Sequence, residues 1–215
     1  MKLAPEGRPF VAAGVATLLA LALAARLLGG GWGYLAPALW LPVAAWIPLF
    51  FRDPARLGPR GDRLVIAPAD GHVVGIVALE EPDLIGGPAQ RISIFMSVLN
   101  VHVNRYPVSG TVVSRAYRPG KFVNASLDKA SVGNEQVSLG IRGPRGPVLV
   151  RQVAGLVARR IVTDGQPGDQ ATQGERLGLI RFGSRVDTIL PADAVPQVRV
   201  GQRTRAGQTV IAEWP

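Results

Sequence analysis

The chain of 215 residues contains no cysteine and only two histidines, His72 and His102. The first absence excludes disulfides and thiolate chemistry. The second, with no Cys-x-x-Cys or His-Glu-x-x-His pattern, argues against a dedicated metal site. Acidic residues are also scarce, 15 against 24 lysines plus arginines, for a net charge of +9. Such a surplus suits nucleic acid or an anionic membrane surface. The nucleic-acid reading lacks support, because no recognition helix, zinc ligand set or aromatic stacking platform stands outside the apolar N-terminal segment. Any demanding chemistry must therefore come from a group other than a thiol or a metal.

Charge itself is missing from two long stretches. None occurs over residues 10–25; Arg26, Leu27 and Leu28 then lead into Gly29-Gly30-Gly31, and residues 32–51 are again uncharged, though interrupted by Pro37, Pro42 and Pro48. Each stretch is about 20 residues, enough as helix to cross a hydrocarbon core of about 30 Å if Arg26 snorkels. Neither has a polar face, which disfavours a buried hairpin of a soluble domain. A second apolar stretch and the want of a convincing small-residue cleavage site disfavour a signal peptide. Lys2 and Arg8 precede the pair while Arg52, Arg56, Arg60 and Arg63 follow it. The positive-inside rule then puts both ends in the cytoplasm, as a U-shaped hairpin or a re-entrant pair. Each flanking basic residue adds about 1 kcal/mol of attraction to anionic lipid.

From residue 53 onward the pattern changes to short β-rich runs, at 64–67, 72–79, 91–96, 110–116, 136–141, 148–153, 158–162, 177–181, 188–190 and 209–212. Runs of this length, separated by Gly, Pro and Asp, predict an antiparallel sandwich or barrel. The segment 97–103 reads as a short helix. Residues 107–121 and 198–210 share a strand, turn, Gly, strand rhythm that resembles the barrel-sandwich folds of biotinyl and lipoyl carriers. The expected fold class is mainly β, a barrel-sandwich-like antiparallel domain over residues 53–215 behind a hydrophobic helical hairpin over residues 1–52. A non-catalytic carrier module held at the membrane is a competing reading, but no hairpin lysine in a Met-Lys-Met setting is present.

The most informative dipeptide is Gly183-Ser184, set in Leu177-Gly178-Leu179-Ile180-Arg181-Phe182-Gly183-Ser184-Arg185-Val186-Asp187. A serine hydroxyl can attack the preceding carbonyl and replace the amide by an ester. β-Elimination then leaves a pyruvoyl group at the new amino terminus. Glycine suits the upstream position, having no Cβ to obstruct attack and tolerating a strained backbone. Alone, Gly-Ser is also an ordinary turn dipeptide.

Its company changes the balance. Upstream stand Phe50-Phe51-Arg52-Asp53-Pro54, Ala67-Pro68-Ala69-Asp70-Gly71, and the run from Ile94-Phe95-Met96 through Val101-His102-Val103-Asn104-Arg105-Tyr106-Pro107 to Gly110. They are followed by Gly120-Lys121-Phe122-Val123-Asn124-Ala125, Lys129-Ala130-Ser131, Asn134-Glu135, Gln152-Val153-Ala154-Gly155 and Gly174-Glu175-Arg176-Leu177-Gly178. In this order the set resembles the short bacterial and archaeal form of phosphatidylserine decarboxylase, a pyruvoyl-dependent enzyme, over roughly residues 50 to 190.

The resemblance implies cleavage between Gly183 and Ser184 into chains 1–183 and 184–215, held together as a heterodimer, with further oligomerisation left open. It implies a pyruvoyl cofactor derived from Ser184, no pyridoxal phosphate and no metal. The pyruvoyl ketone would form a Schiff base with the serine headgroup of phosphatidylserine, release carbon dioxide and give phosphatidylethanolamine. An ether-linked serine lipid such as archaetidylserine offers the same headgroup. Ser184, His102 and Asp70 take the catalytic positions, with Asp70 the acidic partner that orients or charges the base. Arg105, Lys121, Asn124, Lys129, Asn134 and Glu135 are candidate substrate-binding residues, and Arg151 is a further candidate for the lipid phosphate. Two departures stand out. Many members have Leu-Gly-Ser-Thr where this chain has Phe182-Gly183-Ser184-Arg185, and the longer class carries a second histidine where Arg105 stands. The expected location is the cell membrane, with the catalytic domain facing the cytoplasm.

Overall fold

The computed structural model describes residues 2–28, 31–120, 133–155, 160–181 and 183–215. The chain divides into two compact units, Met1–Ala55 and Arg56–Pro215.

The first unit is a helical hairpin. A short 3-10 turn, Pro5–Gly7, runs into α1 (Arg8–Leu28), and a second, Gly31–Tyr34, runs into α2 (Leu35–Phe50). With their leading turns the helices are 24 and 20 residues long, and each is long and apolar enough to cross a membrane. Pro42 and Pro48 lie inside α2, which continues through both. The arms meet at small residues. Gly14 leaves room for Ile47, and its carbonyl accepts a 2.9 Å hydrogen bond from Trp40 Nε1. The two ends of the hairpin come together, where Ala4 N donates to Phe51 O and Asp53 N to Lys2 O, both at 2.8 Å. Leu19, Leu23, Leu27, Leu28, Trp32 and Leu39 are exposed along the arms.

The second unit is antiparallel throughout, as the short β-rich runs predict. Its strands are β1 (Leu64–Ile66), β2 (Gly71–Glu81), β3 (Gly87–Met96), β4 (Val103–Arg105), β5 (Gly110–Arg118), β6 (Gln136–Gly143) and β7 (Gly146–Ala154). They continue with β8 (Arg160–Thr163), β9 (Gln170–Ala171), β10 (Arg176–Arg181), β11 (Ser184–Pro191), β12 (Val195–Pro196), β13 (Arg203–Thr204) and β14 (Val210–Glu213). One curled sheet has the order β13-β2-β3-β11-β7-β6-β5-β9; two three-stranded sheets have the orders β1-β14-β12 and β4-β10-β8.

Strand period sets which residues meet. Ile92, Ile94 and Met96 on β3 pair in register with Thr188, Val186 and Ser184 on β11, and this face joins Val65, Leu177, Ile180, Ile211 and Trp214 in the main core. Each aliphatic side chain fully buried there contributes about 1.5–3 kcal/mol. Asp187 and Ile189, at odd offset from Ser184, belong to the opposite face, where Ile189 packs with Ala89, Leu149 and Leu84. Gly71 is glycine for want of room, because a Cβ there would collide with the Phe95 carbonyl oxygen on the neighbouring strand.

Several sequence expectations are corrected. Residues 97–103 do not form a helix: Asn100 Oδ1 accepts from both Ser97 N and Ser97 Oγ at 2.9 Å, closing a turn, and Val103 enters β4. A local side-chain hydrogen bond here outcompetes the helix. Strand β11 begins at Ser184 rather than 188, because both its edges are paired from the first residue. Strands β4, β9, β12 and β13 were not expected. They are two or three residues long and are defined by their partners, not by a local apolar pattern.

Candidate active site

Ser184 opens β11, with Met96 of β3 on one side and Ala154 of β7 on the other. It is fully buried, its Oγ 3.9 Å from Met96 Sδ. Gly183 has φ +62°, and a Cβ built on it would meet no atom within 4 Å. Glycine is thus demanded by the backbone and not by crowding, since an L side chain in this left-handed region costs about 1–2 kcal/mol. The dipeptide is a left-handed corner leading into a buried, doubly paired strand.

A polar chain runs from the same methionine. Asn104 Nδ2 donates to Met96 Sδ at 3.4 Å, Gln152 Nε2 to Asn104 Oδ1 at 2.8 Å, and Thr163 Oγ1 to Gln152 Oε1 at 2.6 Å. All three are buried. On the other edge, Asn134 Nδ2 donates to Ala154 O at 2.7 Å and Ala154 N to Glu135 O at 2.9 Å. Asn134 and the Glu135 backbone therefore clamp the residue paired with Ser184.

His102 is fully buried and precedes β4, whose Val103 pairs with Leu179 of β10. It thus lies beside the strand that leads to Gly183. Its Nδ1 is 3.0 Å from Asn100 O. A carbonyl oxygen only accepts, so Nδ1 carries the proton and Nε2 is the basic nitrogen of the neutral ring, an assignment inferred from that hydrogen bond. The turn at 97–100 that replaces the expected helix presents this carbonyl.

Asp70 is engaged elsewhere. Its Oδ2 pairs with Arg56 Nη2 at 2.6 Å and its Oδ1 accepts from Ala206 N at 2.8 Å. Among the described residues the structure brings Asp70 to Arg56 and not to His102. Asp70 lines an open cleft of about 340 Å³ together with Asn100, whose carbonyl holds His102, while His102 itself stays buried behind it. Arg105 is buried, donating from Nη1 to Gly174 O at 2.9 Å, and its side chain packs near Gly207 beside Arg56.

Arg151 lies across from Asp187 in register, on the face opposite Ser184, and its Nε donates to Ser138 Oγ at 3.2 Å. Burial lowers its pKa from the ordinary arginine value, with the Asp187 charge opposing that shift. On the same face Arg185 Nε lies 2.8 Å from Asp187 Oδ1, and Nη2 donates to Oδ2 at 3.1 Å, both residues being buried. Arginine thus follows the serine because a carboxylate two residues on receives it. His72 lies two strands from Arg185 through Phe95, its Nε2 accepting from Arg203 Nε at 3.1 Å. Lys121, Asn124, Lys129 and Phe182 lie outside the described residues.

Arg56 and Thr163 are the residues that sequence reasoning passed over. Arg56 reads as one of several basic residues flanking the hairpin, and nothing local announces its pairing with a residue 14 positions on.

A family model for phosphatidylserine decarboxylase matches residues 43–212. The phosphatidylserine decarboxylase proenzyme of Granulibacter bethesdensis is 49% identical over 215 residues, covering 97% of this chain and 84% of the relative. The proenzyme of the same name from Paramagnetospirillum magneticum is 51% identical over 212 residues, covering 97% of this chain and 85% of the relative.

Proposed function

The chain belongs to the phosphatidylserine decarboxylase family, and on that premise we propose that it is a self-cleaving, membrane-held enzyme that converts phosphatidylserine to phosphatidylethanolamine. The observation that carries this reading is the left-handed Gly183 set directly before the fully buried Ser184.

Ser184 Oγ attacks the Gly183 carbonyl carbon, the C–N bond breaks, and the chain is joined through an ester. Loss of the Ser184 Cα proton expels the Gly183 carboxylate, and water releases the nitrogen as ammonia. A hydroxyl needs a base for the first step, and His102 Nε2 is the proposed acceptor. Asp70, tied to Arg56, acts as a positioning residue on the cleft wall.

Ser184 suits such a group because its strand survives the cut. β11 keeps its register with β3 from Ser184 to Pro191 and with β7 from Ser184 to Ile189, while β13 and β14 still pair with β2 and β1. The two chains 1–183 and 184–215 would thus remain one β unit. The pyruvoyl carbonyl supplies the electron sink for losing carbon dioxide from an amino-acid headgroup, a role pyridoxal phosphate fills in other enzymes. The residues around it shield that carbon from water, since Met96, Asn104, Asn134 and Gln152 are all buried.

The hairpin of the first unit is the proposed anchor, its apolar arms in the bilayer and its joined ends, with Lys2, Arg8 and Arg52, at the cytoplasmic face. Deleting residues 1–51 should release the protein from membranes while self-cleavage proceeds, because the processing residues all lie in the second unit. Retention of the truncated protein on membranes after a high-salt wash would contradict this. The activity itself is tested by incubating the purified full chain with carboxyl-labelled phosphatidylserine in mixed micelles. Labelled carbon dioxide and phosphatidylethanolamine are expected, and an ether-linked serine lipid run alongside measures chain preference. A cleaved protein that releases no carbon dioxide from either lipid would overturn the reading.

A further inference from the structure

We propose, resting on the decarboxylase reading, that the cleft walled by Arg203 and Arg205 binds the phosphodiester of the lipid headgroup. These arginines belong to none of the motifs that carry the family resemblance.

Register places the cleft beside the scissile end of the sheet. Arg185, the neighbour of Ser184, pairs with Phe95, Phe95 with His72, and His72 with Arg203. Three strand spacings separate the ends of this row, roughly 14 Å at about 4.8 Å each, and the row stands on the Arg185 face of the sheet, so a headgroup would reach residue 184 around the strand ends. An arginine side chain and a phosphoserine headgroup can bridge that span together. The cleft is lined by Ser97, Leu99 and Asn100, which follow β3, and Ser184, the first residue of β11, pairs with Met96, the last of β3.

Its charge suits an anion. Asp70 is the carboxylate on its wall, and both oxygens are already engaged by Arg56 and the Ala206 N–H. Asp70 therefore does not neutralise the two arginines. His72 Nε2 accepts from Arg203 Nε, and this contact aims Arg203 while leaving its terminal nitrogens for a ligand. The exposed Arg205 side chain has no hydrogen bond or ion pair among the described residues. Two guanidinium groups facing one cleft match phosphate oxygens well.

The rim argues for a lipid rather than free phosphate. Leu99 lines the cleft and is 70% exposed, and the adjoining Val98 is 43% exposed. A basic wall beside an apolar edge fits a phosphate whose glycerol and acyl chains leave over the 97–100 turn.

The test uses the mature full chain in detergent micelles. Calorimetric binding of glycerophosphoethanolamine, ethanolamine and inorganic phosphate is compared between the wild type and Arg203→Gln/Arg205→Gln. Glycerophosphoethanolamine should bind the wild type and lose at least tenfold in affinity in the double variant, while ethanolamine binds both equally weakly. The KM for phosphatidylserine should rise by a similar factor, and Arg203→Lys/Arg205→Lys should recover part of the loss. If the double variant fails to mature, the exposed Arg205→Gln alone serves, with an expected loss of several-fold. Equal affinity in wild type and variant would overturn the proposal. So would inorganic phosphate binding as tightly as glycerophosphoethanolamine, because the cleft would then be a free-phosphate site. Arginine-dependent binding without any phosphatidylserine turnover would leave the cleft standing and sink the decarboxylase reading instead.

Discussion

Replacing Ser184 by alanine will leave the chain as a single uncut polypeptide with no decarboxylase activity. The change removes one hydroxyl, and with it both the nucleophile and the leaving oxygen whose elimination opens the way to the ketone, so no partial activity should survive. The fold should barely notice. Among the described residues Ser184 Oγ has only a long contact to Met96 Sδ, at 3.9 Å, and alanine keeps the Cβ that fills this buried position. A loss of about 1 kcal/mol or less is expected, a shift of about 2–4 °C in Tm for a chain of this size. A folded, uncut, inactive protein is the predicted result. Cleavage of the alanine variant would move the scissile bond elsewhere.

The next largest effect is expected at His102. Removing a general base typically costs about 10²–10⁴ in rate, so His102→Ala should accumulate precursor under conditions in which the wild type is fully processed. Because His102 is wholly buried, alanine also opens a cavity, and His102→Gln is the companion variant that fills the space without supplying a base. Both should be slow by similar factors, whereas a packing role would make glutamine nearly normal. Asp70→Asn should slow maturation less than either. Its carboxylate is bound to Arg56 and Ala206, and the cleft it lines reaches only Asn100, whose carbonyl holds His102. If Asp70→Asn proved the slower variant, the base would be Asp70 acting through water. Normal cleavage and turnover in both His102 variants would remove that residue from the site.

The parts of this molecule legible in its sequence are those whose signal is local. The helical hairpin shows itself in two uncharged stretches, and the proposed scissile corner in a dipeptide whose glycine proves to be left-handed. The long strands β2, β3, β6 and β7 follow from apolar runs that the pleat turns toward one core. What escaped depends on partners far along the chain. β13 is a strand only because Arg203 and Thr204 lie against His72 and Gly71. Gln152 and Thr163 complete a buried chain that reaches Met96 through Asn104, and no local pattern announces those pairings. The 97–100 turn was misread as helix because its apolar residues hide the Ser97 to Asn100 hydrogen bonds, and those bonds shape both the seat of His102 and the rim of the cleft.

The central claim is that this chain makes its own carbonyl group at residue 184, and the intact mass of the purified wild-type protein tests it most directly. Two species are predicted: a fragment ending at Gly183 and a fragment spanning residues 184–215. The second should be lighter by one ammonia than a peptide beginning with serine, and borohydride should reduce its terminal ketone. A wild-type protein that stays one full-length chain, or a small fragment carrying an intact amino-terminal serine, would contradict the account.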